Sequence, residues 1–341
     1  MARIEEMFST QEVLNYVKNR QTVPMLGDIL FPEKKIEDLD FKMIKGANNL
    51  PVSASIHGFD TETEIGSRDG ASSSVEELAL IKRKIKMDER LIIKLNSPRS
   101  NQEEKQAISD IFNDVDNMVS SVKTRVEAMR MEAVTTGKLT INENGVKATI
   151  DYGTPSEQQS LSGIDWTSST AKILDDIYNW TDKVVANTGF TPTRALTSKS
   201  VLNLLLTNTT IRKAVFGTNS DRVLTKDMLN QLLSSMDLPQ IATYDAQYRT
   251  QNANGKYTAK RYFEDGKFVL LPDGKLGESI YGLTAEEIEL RGKSDVKIES
   301  FGNIIAEIYS TKDPVARWTK AVATCLPSFP YADQIYIAKV K

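Results

Sequence analysis

Several residues carry types that chemistry uses, and their spacing decides what each could do. Gly292-Lys293-Ser294 has the order that closes a phosphate-binding loop, where backbone amides and a lysine cradle a nucleotide. That loop needs a glycine five positions before Gly292, and the chain has Glu287 there, a carboxylate that would repel phosphate. A polar turn is expected instead. His57 is of a residue type that can serve as a general base, yet no cysteine or Gly-x-Ser-x-Gly nucleophile elbow partners it, so it is expected on the surface. Asp175 and Asp176 are neighbouring carboxylates, but adjacent helical positions point about 100° apart and cannot share one reacting atom. They are expected on a solvated face. Cys325 is the only cysteine, which excludes an intrachain disulfide and, with the single His57, is a poor basis for a metal site. No catalytic, cofactor-binding or metal-ligating residue is assigned, and no cofactor is expected.

Lys82, Lys84 and Lys86 alternate with Ile81, Ile85 and Met87, a pattern that on a strand gathers three ammonium groups on one side. Such a strip suits either water or the acidic side chains of a neighbouring subunit, and nucleic acid only weakly. Met118, Met129 and Met131 fall at core positions of a helix and are expected to fill space.

The elements that must hold these residues begin with a long helix. From Asn101 to Thr136, Ile108, Ile111, Phe112, Val115, Met118, Val119, Val122, Val126 and Met129 recur three and four residues apart. Ser100 with Glu103 forms a capping-box pattern, and Gly137 suits the left-handed residue that ends a helix. At 1.5 Å per residue the helix would run about 54 Å. Leu139 to Ile150 then alternates around Asn144-Gly145, a tight hairpin signal. Further helices are predicted over Ser168 to Asn187, Ser198 to Leu206 and Thr225 to Met236. Asn254-Gly255, Asp265-Gly266 and Asp273-Gly274 punctuate strand-like runs from Gln240 to Gly274, which predicts an antiparallel meander. Ile304 to Tyr309 and Ile335 to Val340 read as strands, separated by a stretch holding Pro314, Pro327 and Pro330. Phe41 to Leu95 shows strand-like pieces flanking the polar excursion GFDTETEIGSRDGASSS.

The 341 residues suffice for one large or two smaller domains, and 40% apolar with 26% charged residues is ordinary for a globular chain. No stretch approaches the ~20 apolar residues of a membrane span, so no membrane partner is expected. The opening MARIEEMFSTQEVLNYV mixes Glu5, Glu6 and Glu12 with apolar positions, unlike a signal peptide, so no export is expected. The Asn179 and Asn208 N-x-Thr patterns are then without meaning. A net charge of −3 argues against tight binding to nucleic-acid phosphates.

A non-enzymatic chain with a spine helix, a polar loop ahead of it and a β-rich tail remains. Three stretches, RVEAMRMEAVTTGKLTINENGVKATIDYG with Ile164-Asp165-Trp166 after it, LLPDGKLGESIYG, and DPVARWTKAVATCLPSFPYADQIYIAKV, resemble the lambda-like major capsid family of tailed bacteriophages. GANNLPVSASIHGFDTETEIGSR likewise resembles the extended-loop region of that family. The resemblance covers essentially the whole chain. It implies an α+β Hong Kong 97 type capsid fold: an N-terminal arm over 1–40, an extended loop over 41–90, a peripheral domain with the spine helix over 91–150, an axial domain over 151–308, and 309–341 returning to the peripheral domain.

It also implies a major capsid protein that assembles with itself as hexamers and pentamers into an icosahedral shell in the bacterial host cytoplasm. A separate scaffolding protein is implied, because only about 40 residues precede the loop, together with a portal protein at one vertex and packaged double-stranded DNA held weakly and non-specifically. A decoration protein is left open. Lys45 and Asn303 are available for the covalent welding some relatives of the fold use, but no motif assigns them and no crosslink is expected. Alternatives from other classes are a nanocompartment shell of the same fold, marked by enzyme cargo in place of DNA, and an enzyme, marked by a substrate-sized pocket in a monomer.

Overall fold

Apolar spacing along one stretch sets the longest element, and strand pairing sets the rest. The computed structural model describes all residues except 1–8, 20–23, 46–55, 58, 60–61, 63–71, 88, 97–99, 218–221, 253, 293–301 and 313–314. Much of the polar excursion, Lys293-Ser294, Pro314 and the outermost part of the arm lie outside the described residues.

In chain order the first elements are α1 (Thr10–Asn19), α2 (Leu26–Leu30), β1 (Glu33–Lys35), β2 (Asp40–Lys45), β3 (Ser72–Glu77), β4 (Ala79–Met87), α3 (Glu89–Asn96) and α4 (Asn101–Thr136). A hairpin of β5 (Lys138–Glu143) and β6 (Val146–Asp151) follows, then β7 (Gln159–Ser160), α5 (Ile173–Thr188), β8 (Arg194–Thr197), α6 (Lys199–Thr207), α7 (Thr209–Phe216) and α8 (Lys226–Ser235). The remainder is β9 (Gln240–Thr243), β10 (Gln247–Gln251), β11 (Tyr257–Arg261), β12 (Lys267–Leu271), β13 (Glu278–Tyr281), α9 (Ala285–Arg291), β14 (Ile305–Lys312), β15 (Val315–Ser328) and β16 (Tyr336–Lys339).

These elements form two compact units, one from residues 1–41, 75–129 and 278–328, the other from 42–74, 130–277 and 329–341. In the first, β15 is the central strand. It pairs antiparallel with β14, β13 and β4, and β1 adds to β13 in parallel. The α4 helix presents Ile111 to Met87 of β4, with Ile108, Phe112 and Ile308 around them. Tyr16 of α1 packs on Phe112 with ring centroids 4.6 Å apart and the rings tilted by 50°, and donates its hydroxyl to Asp116 Oδ2 at 3.0 Å. The Gly27 amide donates to Glu127 Oε1 at 3.0 Å, which satisfies a fully buried carboxylate.

In the second unit a five-stranded sheet runs β7-β16-β12-β8-β9. Strand β12 is antiparallel to both β16 and β8, while β7 joins β16 and β9 joins β8 in parallel. Helices α5, α6, α7 and α8 contribute Ile177, Trp180, Val184, Leu205, Ile211, Leu229 and Leu233 to one core with Trp166, Phe268 and Tyr336. Trp180 stacks between Trp166 at 5.5 Å and Tyr336 at 5.2 Å, with the rings of both pairs nearly parallel.

The expected long helix spans 101–136 with Ser100 Oγ accepting the Glu103 amide and Gly137 at φ +67°, and the hairpin turns at Asn144-Gly145. Met118, Met129 and Met131 are buried. Three expectations differ. The second helix begins at Ile173, not Ser168, because the Ser168 region forms a turn closed by hydrogen bonds from Ala171 and Thr170. Residues 89–96 form helix α3, whose apolar spacing is helical where strand pieces were expected. The 240–274 stretch is no meander: only β10 and β11 form a hairpin, while β9 and β12 each join the large sheet, where the apolar run Phe268–Leu271 is buried on both faces.

Candidate assembly surface

Successive side chains on a strand point to opposite faces, so Lys82, Lys84 and Lys86 share one side of β4 and Met87 the other. Met87 closes the inner face against α4. The three lysines are exposed. Register sets Lys84 opposite Lys320 and Lys86 opposite Trp318, and across β15 sets Lys320 opposite Glu307 and Trp318 opposite Tyr309. A row of charged and aromatic side chains therefore crosses three strands. The Lys84 ammonium lies 4.4 Å from the Trp318 ring centroid and the Lys320 ammonium 5.5 Å from that of Tyr309.

Glu286, at the start of α9, ties this row together. Its Oε1 accepts from Lys82 and from Lys320, each at 3.1 Å, while Lys320 also reaches Glu307 at 2.7 Å. Burial works to raise the Glu286 carboxyl, but hydrogen bonds from its own backbone amide, Lys82 and Lys320, with the Lys320 charge, hold it below the usual carboxylate range. Burial likewise works to lower Lys320, and its bonds to Glu307 and Glu286 hold it above the ordinary lysine value. Four charged side chains thus brace the strand that follows the polar excursion.

Glu287, the residue that ruled out a phosphate loop, is almost fully buried and takes Lys35 Nζ on both oxygens at 2.9 Å and Arg291 Nη2 at 2.8 Å. Its amide donates to Thr284 Oγ1, the cap of α9. Gly292 ends that helix, so the Gly-Lys-Ser run begins at a helix C-terminus, where no amides gather for an anion. His57 is exposed and Cys325 is buried on β15. Asp175 is exposed, whereas Asp176 accepts the Trp166 indole at 2.9 Å. The expectation of a solvated pair therefore holds for Asp175 alone, because the indole of a buried ring needs an acceptor. Asn303 Nδ2 donates to Glu33 Oε2 at 2.5 Å, and the Lys45 side chain falls outside what is described. Among the described residues no group of three or more His, Cys, Asp or Glu gathers to hold a metal, and no helix is long and apolar enough to cross a membrane.

The Glu286, Lys320, Glu307 and Trp318 cluster escaped the sequence reading. The signal for it was the alternation of Arg317, Thr319 and Ala321 with Trp318, Lys320 and Val322, hidden by the prolines that flank it.

A family model described as phage major capsid protein E matches residues 9–340. The chain belongs to the phage major capsid protein E family. Among solved structures, a protein assigned as a prophage capsid protein of E. coli CFT073 shares 16% identity at a TM-score of 0.59, covering 100% of this chain and 97% of the other. A phage-related protein from Bordetella bronchiseptica RB50 shares 11% identity at a TM-score of 0.55, covering 96% and 95%. The mature capsid of bacteriophage PhiM1 aligns at 11% identity and a TM-score of 0.47, covering 95% and 89%. No curated protein matches the sequence. This member of the family has the α+β Hong Kong 97 type capsid fold. As a major capsid protein it is a structural component of the phage head that associates with copies of itself.

Proposed function

We propose that the chain forms hexamers and pentamers that close into an icosahedral shell around double-stranded DNA, and that it catalyses no reaction. The family match over 9–340 carries this reading. Assembly proceeds in the bacterial host cytoplasm with a separate scaffolding protein, and a portal protein occupies one vertex. Each subunit touches several neighbours, so one contact raises the effective concentration for the next and modest interfaces become collectively strong.

Residues 1–40 act as the arm, 41–90 as the extended loop and 91–150 as the peripheral domain with its spine. Residues 151–308 are read as the axial domain and 309–341 as the return to the peripheral domain. Pairing of β15 in the first unit and β16 in the second supports one refinement, in which 315–328 is peripheral and 329–341 joins the axial sheet. The loop docks on a neighbour and adds one of the contacts that hold the shell together.

Electron microscopy of the purified chain, expressed alone and with the other head proteins of its phage, tests the reading. Closed shells containing DNA are expected; shells filled with an enzyme cargo would favour a nanocompartment, and a stable monomer would overturn both. Deleting 66–74 should leave the subunit folded and abolish shells, and normal shells from that deletion would remove the loop's role. Denaturing electrophoresis of intact shells should give a single monomer band; a ladder of covalent multimers would contradict the absence of crosslinks.

A further inference from the structure

The β10–β11 hairpin is a ribbon that the rest of its unit holds at the root and leaves open along the blade. At the root, Asp245 accepts the Lys199 amide at 3.1 and 3.0 Å and Arg261 Nη1 at 2.6 Å, and Tyr262 stacks on Tyr244 at 6.1 Å and Tyr248 at 4.7 Å. Among the described residues the two strands pair only with each other. At the tip the Asn252 amide donates to the Lys256 carbonyl at 2.9 Å and the Gly255 amide to the Asn252 carbonyl at 2.8 Å, with Gly255 at φ +77°. Every residue of β11 is exposed, as are Gln247, Arg249, Gln251 and Lys256.

Between Asp245 and Glu264 the sequence has four cations, Arg249, Lys256, Lys260 and Arg261, and no carboxylate, a local reversal of sign in a chain of net charge −3. Apart from Ala253, Gly255 and Ala259, every side chain from Gln247 to Arg261 carries a hydrogen-bond donor. Arg261 is matched by Asp245 at the root, whereas Arg249, Lys256 and Lys260 form no ion pair among the described residues. Register divides the cations between two faces. Opposite residues of an antiparallel pair share a face, so Arg249 lies with Gln247, Gln251 and Tyr257, and Lys260 lies with Tyr248, Thr250 and Thr258. Lys256, opposite Asn252 and two residues before Thr258, falls on the Lys260 face. On the other face the Arg249 guanidinium sits 6.0 Å from the Tyr257 ring centroid.

A flat partner surface meets one face of such a ribbon and leaves the cations of the other unmatched. A groove with anions on both walls meets both. We propose that the ribbon enters the major groove of duplex DNA tip first, with Arg249 and Lys260 reaching phosphates of opposite strands and Asn252, Asn254 and Lys256 near the base edges. This rests on the reading of a shell around double-stranded DNA and names a contact within it. The dimensions agree, since the groove is about 12 Å wide and about 8.5 Å deep and a ribbon with side chains on both faces is about 10 Å thick. At about 3.4 Å per residue, Arg249 stands about 10 Å behind Asn252 and Lys260 about 14 Å behind Lys256, so their long side chains reach the groove rim when the tip touches its floor. Donors without a carboxylate suit phosphate oxygens and base-edge acceptors alike. With three cations the contact is weak and salt-dependent. A root fixed by Asp245 and the tyrosine stack presents the blade preorganised, so little order is lost on docking.

The test uses the purified full chain and a labelled short DNA duplex of mixed sequence, with affinity read by fluorescence anisotropy over a series of salt concentrations. Arg249→Gln with Lys256→Gln and Lys260→Gln should weaken binding by about tenfold at low salt and flatten the slope of log affinity against log salt by about 3. Arg249→Gln alone should flatten it by about 1. Arg249→Lys with Lys256→Arg and Lys260→Arg should keep both affinity and slope, and neither triple variant should move the melting temperature. The duplex should bind more tightly than a single strand of the same length, which offers one row of phosphates. No binding by the wild type at low salt, or a glutamine variant with unchanged affinity and slope, overturns the contact. Preference for the single strand overturns entry into a groove. A glutamine variant that keeps its duplex binding but loses shells assigns the ribbon to a neighbouring copy and also overturns the proposal. Absence of shells from the wild type beside intact, ribbon-dependent duplex binding is a different result, which overturns the shell reading and leaves the contact standing.

Discussion

The indole Nε1 of Trp166 donates to Asp176 Oδ2 at 2.9 Å, while the carboxylate one residue earlier, Asp175, faces solvent. Two adjacent identical side chains therefore have unrelated jobs. Trp166 is fully buried between Trp180 and Phe268, so its N–H has no access to water if the acceptor is removed.

Asp176→Ala should destabilise the subunit by about 1–3 kcal/mol, whereas Asp175→Ala should stay within about 0.5 kcal/mol. Urea denaturation followed by tryptophan fluorescence reads both. Equal losses would show that the indole bond contributes nothing.

Glu286 is held below the ordinary carboxylate range, so its contribution is present at neutral pH and is lost as pH falls through its folded value. Lys320, held above the ordinary lysine value, contributes below that value and loses its contribution as pH rises through the folded one. Glu286→Gln should cost about 1–3 kcal/mol at pH 7 and progressively less as the solution is acidified. Denaturation midpoints across the acid range provide the measurement, and a difference constant with pH would exclude the charge as its source.

Glu287 is a buried anion between two cations. Glu287→Ala should cost about 1–3 kcal/mol, because it removes the shared carboxylate and leaves Lys35 with the Gly302 carbonyl and Arg291 with Glu37. Adding Lys35→Met to that variant should recover part of the loss, a coupling that a double-mutant cycle measures.

Gly137 ends α4 at φ +67°, and a Cβ there would lie 2.6 Å from Thr154 Oγ1. Gly137→Ala should cost about 2–4 kcal/mol from backbone and clash together. At Gly145, with φ +85° and open space around it, alanine should cost only the backbone part, about 1–2 kcal/mol. Thermal melts of the two variants separate the contributions.

Local chemistry made the long helix, its Ser100 cap, its Gly137 stop and the Asn144-Gly145 turn legible in the sequence, because each depends on residues close along the chain. What stayed hidden depends on distant partners. Strand β15 pairs with β4 across more than two hundred residues, and the Pro327 near its end masks it as a loop. The brace of Lys82, Lys320, Glu286 and Glu307 draws on four separate elements, so only Lys82 stood out beforehand. Asp176 was placed with Asp175 because helical spacing sees faces and not the indole ten residues upstream.

The late position of β15 and β16 also sets a schedule. Strand β4 finds its neighbour only when 317–325 exist, and the large sheet of the second unit lacks the strand between β7 and β12 until 336–339 exist. During synthesis neither unit can close its sheet before these two strands leave the ribosome. A nascent chain that lacks 315–339 therefore has neither sheet complete, and it exposes unpaired strand edges until those residues arrive.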